Sequence, residues 1–315
     1  MMHSAKTPSR RQFLAGSAAI GATMISMKTL RHGLLAASTR PAATDSHPER
    51  WQIGCYTRPW ADHEYPVALD AIAEAGFKYV GLMTTKSPSH LVISAATTPE
   101  EAQRVAEEVR KRDLQVLSVY GGDIPVDQSL EAGIAGLRRI IDSCATVGSA
   151  TLLMGGIGNE KLYDAYYKAI AECCDYAAEK KLHITIKPHG GMNATGPQCR
   201  KCIERVGHQN FRLWYDPGNI FYYSNGELNP VDDAPSVDGL VTGMCVKDYE
   251  HPKKVDVTPG TGQVDFRTVL ARLKKGGLSG GPLVIECLTS RPTLPARHEE
   301  ARKAKAFLER ITAEL

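Results

Sequence analysis

The stretch PEEAQRVAEEVRKRDLQVLSV, residues 99–119, changes periodicity half-way along, and that change decides the fold. Up to Arg112 the apolar residues Ala102, Val105, Ala106 and Val109 fall three and four apart behind an acidic first turn, the pattern of one amphipathic helix. From Leu114 the pattern becomes LQVLSV, a short apolar run of the kind buried in a parallel strand.

The same unit recurs along the chain. Further strand candidates are QIGCYT (52–57), KYVGLM (78–83), ATLLMG (150–155), HITIKP (183–188), FRLWYD (211–216), LVTGMCVK (240–247) and PLVIEC (282–287). Eight strands alternating with eight helical stretches, in roughly 265 residues, predict an α/β fold: a single-domain (β/α)8 TIM barrel over residues 51–315.

Residues 1–44 stand apart. Ser9-Arg10-Arg11-Gln12-Phe13-Leu14 precedes an uncharged run from Ala15 to Met27 rich in Ala and Gly. This reads as a twin-arginine export signal and linker, its apolar part shorter than the ~20 residues that span a bilayer. The expected location is therefore periplasmic or otherwise exported.

Of 38 Lys/Arg and 35 Asp/Glu, seven and two lie in residues 1–50, leaving 31 and 33 and a net charge of −2 beyond the signal. The basic balance belongs to the leader. A nucleic-acid partner calls for a basic stripe, and the rest of the chain has only Lys253-Lys254 and Lys274-Lys275, so nucleic acid is excluded as a partner. No later apolar run suits a membrane once the signal is removed, and no feature sets an oligomeric state. All eight cysteines lie beyond residue 50; Cys199-x-x-Cys202 has redox spacing, but it falls in a helical stretch and reads mainly as packing, with a disulfide or metal role as the alternative.

In such a barrel the chemistry sits at the C-terminal strand ends. Those ends carry Arg58, Lys187, His189, Asp216, Cys245, Lys247 and Glu286. Carboxylates are not needed to pack strands such as RLWY or LVI, and an unpaired buried one costs several kcal/mol. They are expected either to pair with Lys187 or to do acid/base or metal chemistry. Arg58 and Trp60 after the first strand are candidate ligand contacts, and Lys247 and Asp248 either bind the ligand or pair with each other. Gly155-Gly156 and Gly190-Gly191 suit turns over the pocket. His90, His183, His208 and His251 lie off the ring of strand ends.

The order of these residues, together with YDPGN (215–219), VKD (246–248), PGTGQVDF (259–266) and GPLVIE (281–286), resembles the xylose-isomerase-like TIM barrel family, the sugar phosphate isomerases and epimerases. The resemblance runs from Gln52 to the C-terminus. It implies one divalent ion held by Glu, Asp, His and Glu at strands five to eight, with the two Glu moving a proton beside a sugar carbonyl. Asp216 and Glu286 match that set; Lys187 stands at the first Glu position and Cys245 at the His position. Asn219 stands where the family places a sugar-contacting His or Asn, and the resemblance makes Arg58, Trp60 and Lys247 candidate sugar contacts as well. A nuclease branch of the same barrel uses three zinc ions and many strand-end histidines, which this chain lacks.

Three readings of the centre follow. His189, Asp216, Cys245 and Glu286 form a donor set that suits zinc by ligand type, with zinc or manganese as the candidate ion and Lys187 then turned away or neutral. Alternatively the Lys187 ammonium takes the ion's place between Asp216 and Glu286, with Glu286 as base and His189 as a second acid/base or hydroxyl-binding group. A Schiff base on Lys187 is disfavoured, because neighbouring carboxylates raise its pKa. The expected function is an exported sugar isomerase/epimerase-like enzyme working by enediolate chemistry on a small carbohydrate. A 3-keto-glycoside lyase or hydrolase using the same enolisation, and a non-catalytic carbohydrate-binding barrel, are the alternatives.

Overall fold

The computed structural model describes residues 51–315, so the expected signal over 1–44 lies outside the described residues. Eight strands close into a parallel barrel in sequence order: β1 Trp51–Tyr56, β2 Tyr79–Leu82, β3 Gln115–Tyr120, β4 Thr151–Met154, β5 His183–Ile186, β6 Phe211–Tyr215, β7 Val241–Val246 and β8 Gly281–Ile285. Closure is made by β1 on β8, from Trp51 opposite Gly281 to Cys55 opposite Ile285. This is the (β/α)8 architecture expected from the alternation.

Among the described residues ten helices surround the strands: α1 Tyr65–Glu74, α2 Pro99–Arg110, α3 Leu130–Thr146, α4 Tyr163–Ala171, α5 Cys174–Glu179, α6 Gly196–Val206, α7 Pro217–Tyr223, α8 Pro230–Asp233, α9 Phe266–Lys275 and α10 Leu294–Thr312. The excess over eight comes from two connections, each built from two shorter helices, after β4 and after β6. α2 shows the local logic. Thr98 and Glu101 form a reciprocal capping box, Pro99 opens the first turn, and Ala102, Val105, Ala106 and Val109 are buried. None of the described helices is long and apolar enough to cross a membrane.

Alternate strand residues divide the interior in two. Outward-facing residues such as Ile184, Ile186, Leu213, Val246 and Ile285 join the large core between barrel and helices. Inward-facing Tyr56, Met83, Leu117, Leu153, Trp214, Cys245 and Val284 fill the barrel itself. Gly243 leaves room for this plug, since a Cβ there would lie 2.7 Å from the Trp214 indole. All eight cysteines are buried free thiols, Cys199 and Cys202 among them, which is the packing role expected of that pair.

Candidate active site

The inward parity continues one step past each strand. Thr185 is followed by Lys187, Trp214 by Asp216, Cys245 by Lys247, and Val284 by Glu286, so the charged residues form the layer above the plug at the C-terminal mouth. Cys245 lies one layer deeper than Lys247, opposite Val284 in the β7–β8 register.

The four charges close a ring of alternating sign. Lys187 Nζ is 2.5 Å from Glu286 Oε2 and 3.2 Å from Asp216 Oδ2. Lys247 Nζ is 2.7 Å from Glu286 Oε1 and 3.2 Å from the same Asp216 Oδ2. All four side chains are 5% exposed or less, so the pairing is what makes their burial tolerable.

Backbone and side-chain contacts fix the ring. Asp216 caps α7, its Oδ1 accepting from Asn219 N at 3.0 Å while Oδ2 faces both ammonium groups. Asn219 donates to Pro188 O at 2.7 Å and accepts from Lys247 Nζ at 3.0 Å. Both ends of its amide are thus engaged, and it braces the lysine where the sequence suggested a sugar contact. Gly218 is required beside it: a Cβ would lie 2.6 Å from Lys247 O and 2.7 Å from Lys247 Cγ.

The electrostatics follow from this packing. Burial alone would pull Lys187 and Lys247 toward neutrality, but Glu286 and Asp216 outweigh it and raise both above the ordinary lysine value. Burial likewise opposes ionisation of Glu286, and Lys187, Lys247 and Arg58 override it, holding the carboxyl well below its usual range. Burial pushes the Cys245 thiol far up, so it stays protonated. His189 opens partly to solvent; desolvation and the two ammonium groups all lower its pKa, so it is a neutral imidazole.

Above the ring sits a rim. The His189 ring lies 6.2 Å from that of Tyr120 and 6.0 Å from that of Tyr223, centre to centre, and Lys187 Nζ is 6.0 Å from the Tyr120 centroid. Tyr120 ends β3 and Tyr223 ends α7; neither was singled out in the sequence, although reading the third strand one residue beyond Val119 reaches Tyr120. Arg58 touches Cys287, the residue after Glu286, and pairs with Asp256 at 3.1 Å.

One sequence expectation is corrected, and one alternative is set aside. Trp60 is wholly buried in the outer core, 6.1 Å from the His298 ring on α10, and is no sugar contact. Residues Arg58–Trp60 form a 3₁₀ turn, so positions two apart project to different sides and only Arg58 reaches the mouth. Asp248 does not pair with Lys247; it accepts from the backbone amides of Tyr249, Gly260, Gly262 and Val264 and holds the loop after β7.

A family model described as "Xylose isomerase-like TIM barrel" matches residues 69–311. The chain belongs to that family. Among solved structures, a xylose isomerase domain protein from Planctomyces limnophilus superposes with a TM-score of 0.62 at 20% identity, covering 84% of this chain and 97% of its own. D-allulose 3-epimerase from Methylomonas sp. gives 0.64 at 18% identity over 84% and 99% of the two chains. An L-ribulose 3-epimerase gives 0.63 at 15% over 84% and 95%. No curated protein matches the sequence.

The divalent ion implied by the family resemblance can be tested against these residues. Asp216, Cys245 and Glu286 bring three possible ligand atoms within 4.8 Å of one another, and His189 is not part of that group. Yet the carboxylate oxygens already receive two ammonium groups, and the third donor, the Cys245 thiol, lies a layer deeper in the apolar plug. A divalent ion there would meet two like charges at contact distance. As arranged, the residues do not fit one.

Proposed function

We propose that this xylose-isomerase-like barrel is a sugar isomerase/epimerase-like enzyme that moves a proton beside a carbonyl, with the Lys187 and Lys247 ammonium pair in the role of the family's ion. The observation that carries the reading is the buried four-charge ring at the barrel mouth. Support also comes from the family and from structural neighbours named as sugar epimerases.

In this reading the substrate carbonyl oxygen accepts hydrogen bonds from the ammonium pair. Glu286 takes the proton from the adjacent carbon, and negative charge passes from the carboxylate to the enediolate oxygen. Total charge inside the ring is unchanged, so the two ammonium groups exchange one anionic partner for another with little reorganisation. The same ammonium groups make Glu286 a weak base, and the stabilised enediolate offsets that weakness. Glu286 then returns its proton to carbon, and neutral His189 on the rim relays a proton between the two oxygens, taking one at one ring nitrogen as it gives one from the other.

The test is solvent exchange. With ketoses and aldoses in heavy water plus chelator, deuterium should enter the carbon next to the carbonyl, and Glu286→Gln should abolish this, read on protein confirmed folded by circular dichroism at a temperature well below its melting transition. Sugar binding without exchange in the wild type would overturn the enzyme reading in favour of a carbohydrate-binding barrel.

The twin-arginine segment supports export as part of the proposal, which favours a free or oxidised sugar or a glycoside over a sugar phosphate. Replacing Arg10 and Arg11 together by Lys should retain the protein in the cytoplasm; unaltered export would contradict that reading.

A further inference from the structure

Beside the charged ring, a cleft of about 560 Å³ opens between the loops that follow β1, β2, β7 and β8. Its lining includes Arg58, Asp256, Thr85, Thr289, Ser290 and Arg297. Arg58 belongs to both places, since it lines this cleft and contacts Cys287 next to Glu286. The volume lies within the ~300–1,000 Å³ range of small-molecule sites.

We propose that this cleft is a second sugar subsite, so that the preferred substrate is a glycoside of the reacting sugar rather than the free monosaccharide. The assignment rests on the functional reading above and names its substrate class. Three features support it.

The cleft carries no net charge to attract an anion. Arg58 is paired with Asp256 at 3.1 Å, and Arg297 holds Asp62 through two nitrogens at 2.5 and 2.8 Å. Guanidinium–carboxylate pairs of this kind still present unused donors and acceptors on a planar frame, which suits the vicinal hydroxyls of a neutral sugar.

Hydroxyl side chains from Thr289 and Ser290 add further partners on the walls, while that of Thr85 is turned to His63 O. Nothing in this lining resembles the apolar enclosure expected for a hydrophobic ligand.

The walls are also held in place before any ligand arrives. Thr258 and Thr289 exchange backbone-to-hydroxyl hydrogen bonds at 3.0 and 3.1 Å. The Thr258 hydroxyl donates in turn to Glu300 at 2.5 Å, and Glu300 receives Arg291. The loops after β7 and β8 are thereby fixed to α10, so little ordering entropy is lost on binding.

The experiment compares D-fructose with four of its glycosides, lactulose, maltulose, turanose and palatinose, by calorimetry on the wild type and on Ser290→Trp. Ser290 is exposed, lines the cleft and lies outside the four-charge ring, so an indole there takes up space in the cleft while leaving Lys187, Asp216, Lys247 and Glu286 unchanged. The expected result is that at least one glycoside binds about tenfold tighter than fructose, and that Ser290→Trp removes that gain while fructose affinity holds within about twofold. Fructose binding with no glycoside gain, or an equal loss of both sugars in Ser290→Trp, overturns the subsite alone. Absence of binding by all five sugars overturns the functional reading and the subsite with it.

Discussion

Lys187 Nζ lies 2.5 Å from Glu286 Oε2, joining the end of β5 to the end of β8 across the barrel mouth. Removing one member of a buried pair leaves an uncompensated charge, which costs about 3–5 kcal/mol. Lys187→Met should lose stability on that scale in urea denaturation, and Lys187→Met with Glu286→Gln should recover part of it. A single variant within about 1 kcal/mol of wild type would show that the pair is not buried as described.

The ring also sets a pH signature. Glu286 has a lowered pKa, so its contribution is present above the unfolded value near ~4.3 and is lost as pH falls through the folded one. Lys187 and Lys247 have raised values, so theirs is complete below ~10.4 and is lost only as pH rises through the folded ones. The stability difference between wild type and the Lys187→Met, Glu286→Gln double variant should therefore be level from about pH 5 to 9 and shrink below about pH 4. A slope within the neutral range would mean that another group titrates in the ring.

Gly218 gives a steric test. A methyl group at this position would lie 2.6 Å from Lys247 O and 2.7 Å from its Cγ, with Asp248 O at 2.9 Å. Gly218→Ala should cost about 1–3 kcal/mol and displace Lys247 from the ring. Activity should fall more than stability alone explains, read as kcat on folded protein at a temperature well below the melting transition. Full activity would mean that Lys247 is dispensable.

Asp248 is the anchor of the loop that carries PGTGQVDF. Its two oxygens accept four backbone amides at 2.8–3.0 Å. Asp248→Asn sets an amide group against two of those donors and should destabilise by about 2–4 kcal/mol. Hydrogen exchange should show lost protection at 260–264 first, and unchanged protection there would contradict the clamp.

Much of this molecule is legible in its sequence because strand parity is simple. All eight expected strands agree with the observed ones to within a residue or two at each end. The same rule places Lys187, Asp216 and Glu286 together at one mouth. What it could not show was depth: Cys245 and Lys247 both point inward, and only the register of β7 against β8 puts the thiol in the plug and the ammonium in the ring. Trp60 was misplaced because the chain leaves β1 by a 3₁₀ turn, which ends the alternation that the strand sets. The partners of Lys247 and Asp248 were hidden for a different reason. They lie just past β6 and β8, on α7 and in the loop after β7, and contacts across a barrel have no short-range signal.

The most direct test of the central claim, that two ammonium groups occupy the role of a divalent ion, is elemental analysis of the protein purified without chelator or affinity tag, with Lys187→Glu in parallel. The expected result is well under one equivalent of zinc or manganese in the wild type and a gain of metal in Lys187→Glu. Near-stoichiometric metal in the wild type, removed by chelator with loss of thermal stability, would contradict it.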